Sequence, residues 1–181
     1  ARICFLAWEV GLTAAEIRDG HRREKRFLFF NLDGARRFHS WLRLQHLSTD
    51  QLRLASRNYS RLWATDVLTL QHRKKHVQQQ LAVTDSQWCK AFTTNPQSVL
   101  APPERVDGVI AWLEAEPLGL SRAEVAKLWL SYPLLFGRSA DVLQHRLKQL
   151  ASRVSLDEAD MRRVISGSPA LLARDSDTLL S

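Results

Sequence analysis

One helix-start signal is written five times along this chain at near-constant spacing. Thr13-Ala14-Ala15-Glu16, Ser48-Thr49-Asp50-Gln51, Thr84-Asp85-Ser86-Gln87 and Ser121-Arg122-Ala123-Glu124 each read as a helix capping box, and Asp157-Glu158-Ala159-Asp160 is a weaker fifth copy. Their first residues stand 35, 36, 37 and 36 positions apart. In such a box the first side chain accepts the backbone N–H three residues on, and the fourth side chain reaches back to the first N–H. One box arises easily by chance, whereas five in register predict a helical repeat. The predicted fold is all-α, an α-solenoid of helical-hairpin repeats of about 36 residues. Function in such an array belongs on an extended surface rather than in a pocket.

Each box follows an apolar residue, Leu12, Leu47, Val83, Leu120 or Leu156, placed to staple onto the first turn. A first helix with apolar residues three and four apart comes next, as in Val125, Leu128 and Trp129. It runs into proline at Asn95-Pro96, Tyr132-Pro133 and Ser168-Pro169, and proline ends a helix by removing a donor and pushing the preceding residue out of helical geometry. Lys25 and Tyr59 hold that place in the first two copies. Apolar pairs follow (Phe27-Leu28, Leu62-Trp63, Val99-Leu100, Leu134-Leu135, Leu171-Leu172) and suit a plug against the next unit. A second helix then returns, read over 34–42, 106–113 and 141–150. The predicted organisation is the end of a preceding repeat over 1–11, repeats at 12–46, 47–82, 83–118 and 119–154, and an incomplete fifth at 155–181. Both ends read as cut through a repeat, which predicts an excerpt of a longer array.

Composition narrows the function classes. The chain has 181 residues, 45% of them hydrophobic, and no run approaches the roughly 18 apolar residues of a membrane span. Cys4 and Cys89 are too few for a disulfide framework and read as small buried hydrophobes, which fits a reducing compartment. The net charge of +7 is uneven: residues 1–90 carry 16 Lys or Arg against 8 Asp or Glu, and residues 91–181 carry 10 against 11. A basic half on a helical array points to a polyanion, and nucleic acid is the commonest.

The candidate nucleic-acid-binding residues fall in three groups. Arg22, Arg23, Lys25 and Arg26 close the first helix of repeat 1 and enter its turn. Arg36 and Arg37, with Arg73, Lys74 and Lys75, lie on second helices, and Arg36 and Arg73 stand about one repeat apart as rungs of a phosphate-tracking ladder. Arg53, Arg57 and Arg61, spaced by four, line one face of a first helix. The bland alternative is that each group is simply a solvated face. His72 and His76 stand one turn apart, but three cations between them disfavour a metal, and no cofactor is expected. Trp41, Trp88, Trp112 and Trp129 fall on apolar stripes and read as core, whereas Trp8 and Trp63 are not assigned. No nucleophile elbow, phosphate-binding glycine loop or metal quartet is present, so the sequence argues against an enzyme.

The turn and second-helix pattern resembles the mitochondrial transcription termination factor (mTERF) family. The matching residues are Leu120-Ser121 through Ser131-Tyr132-Pro133-Leu134-Leu135-Phe136, then Ser139, Leu143, Arg146-Leu147 and Leu150. They recur as Asp157 through Ser168-Pro169-Ala170-Leu171-Leu172, with Ser176 and Leu179. The resemblance is strong over 119–180, fair over 83–118 and weak over 12–82. Tetratricopeptide and ankyrin repeats bring signatures absent here, and pentatricopeptide repeats share the period without requiring the proline-leucine-leucine turn. The resemblance implies a curved superhelix in mitochondria or chloroplasts with a basic path for nucleic acid. It favours ribosomal RNA bound within a mitochondrial ribosome or its precursor, beside ribosomal or other organellar proteins. Duplex DNA bound during transcription termination is the neighbouring reading. A protein–protein scaffold is the rival from another class.

Overall fold

The caps do what the sequence asks. Thr13, Ser48, Thr84 and Ser121 each accept the backbone N–H three residues on, and Glu16, Gln51, Gln87 and Glu124 each accept the N–H of the cap residue in return. Asp157 accepts from the Asp160 N–H at 2.7 Å without the reciprocal bond. The five caps open helices of ten residues each: α2 (Ala14–Arg23), α4 (Thr49–Asn58), α6 (Asp85–Thr94), α9 (Arg122–Ser131) and α11 (Glu158–Gly167). Leu12, Leu47, Val83 and Leu120, one residue before their caps, are buried.

The computed structural model describes residues 1–154 and 157–173, and helices with no strand make up the structure of the described residues. The other helices are α1 (Arg2–Cys4), which runs into a π-helical turn at Phe5–Glu9, then α3 (Leu32–Leu44), α5 (Val67–Leu81), α7 (Pro96–Val99), α8 (Pro103–Glu114), α10 (Ala140–Val154) and α12 (Ala170–Ala173). The second helix expected after Leu172, with Ser176 and Leu179, lies outside the described residues, as does Leu156.

All five ten-residue helices end the same way. Glu24, Tyr59, Asn95, Tyr132 and Ser168 have φ of −135°, −139°, −138°, −144° and −142°. Proline follows the last three and enforces this geometry locally. Lys25 and Ser60 follow the first two, and there the bend is held by tertiary packing, because Phe27 and Leu62 are buried just beyond it. Gly20 belongs to the same device: a Cβ at that position would sit 2.9 Å from the Phe27 ring.

The chain divides into two compact units, residues 1–75 with 84–97 and residues 76–83 with 98–181. An aromatic chain runs through the first. Phe5 meets Trp63 edge-on at 5.1 Å, Trp63 meets Phe38 at 5.7 Å, and Phe38 stacks on Trp41. Trp41 meets Trp88 at 6.0 Å, and Trp88 stacks on Phe92 at 5.0 Å. In the same unit α4 packs against α6, and the Asn58 amide donates to the Thr94 carbonyl at 3.0 Å. The core of the second unit is mostly aliphatic: Val109, Leu113, Val125, Leu135, Leu143 and Ile165 are fully buried around Trp129 and Phe136. Cys4 is exposed on α1 and is therefore no core hydrophobe, while Cys89 is half-buried, and burial raises its thiol pKa.

Candidate nucleic-acid interface

The ends of α2 and α4 bring one basic group together. Arg22, Arg23 and Arg57 line a single open hollow of about 410 Å3 with Glu16 and Asp19. Two ion pairs hold its wall. Arg53 Nε donates to Glu16 at 3.0 Å, and Arg57 Nε lies 3.4 Å from the same carboxylate. Burial alone would raise the Glu16 pKa, but the Arg53 guanidinium and the Thr13 cap together hold it below the usual value. Arg22 lies 3.6 Å from Asp19, and both are well exposed. Lys25 and Arg26 follow in the turn. Arg61 lies in the turn after α4, past the helix end at Asn58, and so does not share the expected helix face with Arg53 and Arg57; all three are exposed. Residues 14–26 and 49–61 together carry eight Lys or Arg and four Asp or Glu, so a positive excess stays at this edge after internal pairing.

The second-helix residues do not form the same kind of group. Arg36 pairs with Glu9 at 3.0 Å. Arg37 and Lys75 are exposed, and Arg73 is half-buried with an interaction of its own. Lys74 turns inward and is 8% exposed. Its ammonium lies 5.3 Å from the Trp88 ring centre and 5.9 Å from that of Trp41, and it pairs with Asp85 at 2.6 Å. The reason is placement: Lys74 shares the α5 face of buried Leu70 and Val77, so its stem is apolar filler and its charge needs internal partners. Lys74 is therefore an internal strut rather than an exposed phosphate contact.

The caps also correct the register of the proposed ladder. Arg2, Arg37, Arg73 and Arg146 each stand eleven residues before a cap, so Arg73 matches Arg37 and not Arg36. In two of these positions the guanidinium ties a second helix to the following turn: Arg2 donates to the Phe30 carbonyl at 2.8 Å and Arg146 to the Leu172 carbonyl at 2.9 Å. A cation at this slot thus has a structural use, legible as an arginine recurring at fixed distance from the cap.

The glutamate of the capping box carries a second recurring use. Arg53 reaches Glu16, 37 residues away, and Arg162 reaches Glu124, 38 residues away. Both arginines are five residues after their own cap. Where the box has Gln51 or Gln87 instead, the corresponding residue is Cys89 or Ala126. The cap hydrogen bonds from the Ser121 backbone and hydroxyl, then the Arg162 guanidinium, lower the Glu124 pKa to about 2.

Among the described residues no group of three or more His, Cys, Asp or Glu could hold a metal ion, and no helix is long and apolar enough to cross a membrane. Two aromatics stand out on the surface: Trp8 is 86% exposed and Phe29, next to the basic turn, is 74% exposed. Trp63, unassigned from sequence, is buried and donates to the Ser56 hydroxyl at 3.1 Å. No family model and no curated protein matches the chain.

Proposed function

We propose that the chain is an organellar nucleic-acid-binding array of mTERF-like repeats that binds RNA along the basic edge of its first two repeats. The observation that carries this reading is the concentration of cations at the ends of α2 and α4, where Arg22, Arg23 and Arg57 share one open hollow. A polyanion is the ligand that such an edge serves best, since each neutralised phosphate releases counterions and adds affinity without base contacts. Ribosomal RNA in a mitochondrial ribosome or its precursor is the most concrete target, and it rests on the resemblance in the proline turns. Duplex DNA in transcription termination is the neighbouring alternative. No catalytic role is proposed.

The solenoid of 36-residue repeats is part of the same proposal. Its support within each unit is contact between residues about one repeat apart in sequence: Glu16 with Arg53 and Asn58 with Thr94 in the first, Glu124 with Arg162 in the second.

Binding of the full chain to labelled RNA across a salt series tests the reading. Log affinity should fall linearly with log salt, with a slope near −0.7 per phosphate on a single strand and near −0.9 on duplex DNA. Arg23→Glu with Arg26→Glu and Arg61→Glu should abolish binding while helical content by circular dichroism is kept. Unchanged affinity in that variant, or affinity independent of salt, would rule out this edge and favour a protein-binding scaffold.

A further inference from the structure

We infer that Phe29 is a base-stacking platform, so that the proposed ligand is single-stranded at the turn of the first repeat. The inference rests on the RNA-binding reading above and specifies the form of the nucleic acid there. Phe29 closes a tight turn in which its N–H donates to the Arg26 carbonyl at 2.8 Å. Phe30, the next residue, has its carbonyl held by the Arg2 guanidinium. The backbone on both sides of the ring is therefore fixed, and the same turn carries the exposed side chains of Lys25 and Arg26.

The fold does not require a large ring at this place. The second helices α3, α5 and α10 open at Asn31, Asp66 and Ser139, whose side chains accept the N–H three residues on. Two residues before those openings stand Phe29, Ala64 and Gly137. The corresponding residue before α8 is Leu100, which is buried. The slot is thus filled by a small residue or by a core residue in the other repeats, and in the first by a phenylalanine left 74% exposed. Its buried neighbours Phe27 and Phe30 already supply the packing of the turn. An exposed ring that contributes little to the core and shares its turn with exposed cations has the chemistry of single-strand sites, where aromatic faces take bases and a basic groove takes the backbone.

The test uses the full chain and two labelled probes of about 12 nucleotides, within the usual range of single-strand site sizes. One is single-stranded RNA and the other an abasic phosphodiester chain of equal charge. Phe29→Ala should weaken RNA binding by about 5- to 150-fold, the usual range for one stacked base, and leave abasic binding and the salt slope unchanged. Phe29→Trp should retain RNA affinity. Equal loss on both probes, or no loss on RNA, overturns the inference; a protein partner covering Phe29 would produce the second result. If Phe29→Ala is silent while the triple Arg→Glu variant still fails to bind, the RNA reading stands and the stacking role falls. If the unaltered chain binds neither probe, both fall.

Discussion

Lys74 sits in a run of three cations, Arg73-Lys74-Lys75, yet the first unit uses it from the inside. Its ammonium is drawn to the faces of Trp41 and Trp88, and the Asp85 carboxylate, itself well exposed, completes the neutralisation. Cation–π attraction is worth most where water is excluded, which is the condition at a side chain 8% exposed. Lys74→Met keeps the stem volume and removes the charge. It should lower stability in urea by about 1–2 kcal/mol, because the hydrated Asp85 tolerates losing its partner while the aromatic contacts do not recover. Lys75→Met on the exposed side should change stability by less than about 0.5 kcal/mol. If Lys74→Met altered the RNA salt slope and left the urea midpoint unmoved, Lys74 would be a phosphate contact after all. The sequence could not separate these two lysines, because a run of like charges says nothing of which member faces Leu70 and Val77.

At the scale of the element, four of the caps are preceded by a device that the caps conceal. Gly11, His46, Ala82 and Gly119 have φ of +80°, +63°, +51° and +53°, and each stands two residues before a cap. This left-handed residue sits in the connection that leads into the cap. Glycine takes it without cost, whereas a residue with a Cβ is disfavoured by about 1–2 kcal/mol. Ala82 is exposed and gives up no packing, so Ala82→Gly should raise stability by about 0.5–1 kcal/mol after the extra entropy of glycine in the unfolded chain is subtracted. Thermal denaturation checks the sign, and a lowered midpoint would show that the strain is relieved in some other way. The capping boxes, the stapling residues and the proline turns were legible because each is a local rule with its own residue signature. The left-handed position was not, since only two of its four occupants are glycine. The bends after Glu24 and Tyr59 were placed by the repeat spacing alone, since no proline marks them: buried Phe27 and Leu62 hold them, and burial is a property of the assembled unit.

Across the molecule, the repeat spacing written in the caps and the division into units are different orders of structure. The first unit takes residues 1–75 and then 84–97, so the chain leaves it within α5 and returns with α6. Sequence period placed a boundary at every repeat, but the first compact unit follows the packing of the aromatic chain from Phe5 to Trp88 and Phe92. The candidate interface was legible to a similar degree. The basic excess of the first half pointed to α2 and α4 as carriers of exposed cations, while the pairing of Arg53 and Arg57 with Glu16, the inward turn of Lys74 and the exposure of Phe29 depend on which faces meet. In a repeat array each unit is stabilised chiefly by its neighbours, so a fragment folds only when it includes the elements that cover its apolar face. Residues 1–97 are the shortest continuous piece holding the whole first unit, and they should give cooperative urea unfolding and a dispersed tryptophan indole region in NMR spectra. Residues 1–75 lack Trp88 and Phe92, which leaves Trp41 and the Lys74 ammonium without their α6 partners, and should give collapsed indole dispersion with weak cooperativity. Native-like dispersion from the shorter piece would mean that α6 rests on a body already complete, and that the aromatic chain ends at Trp41.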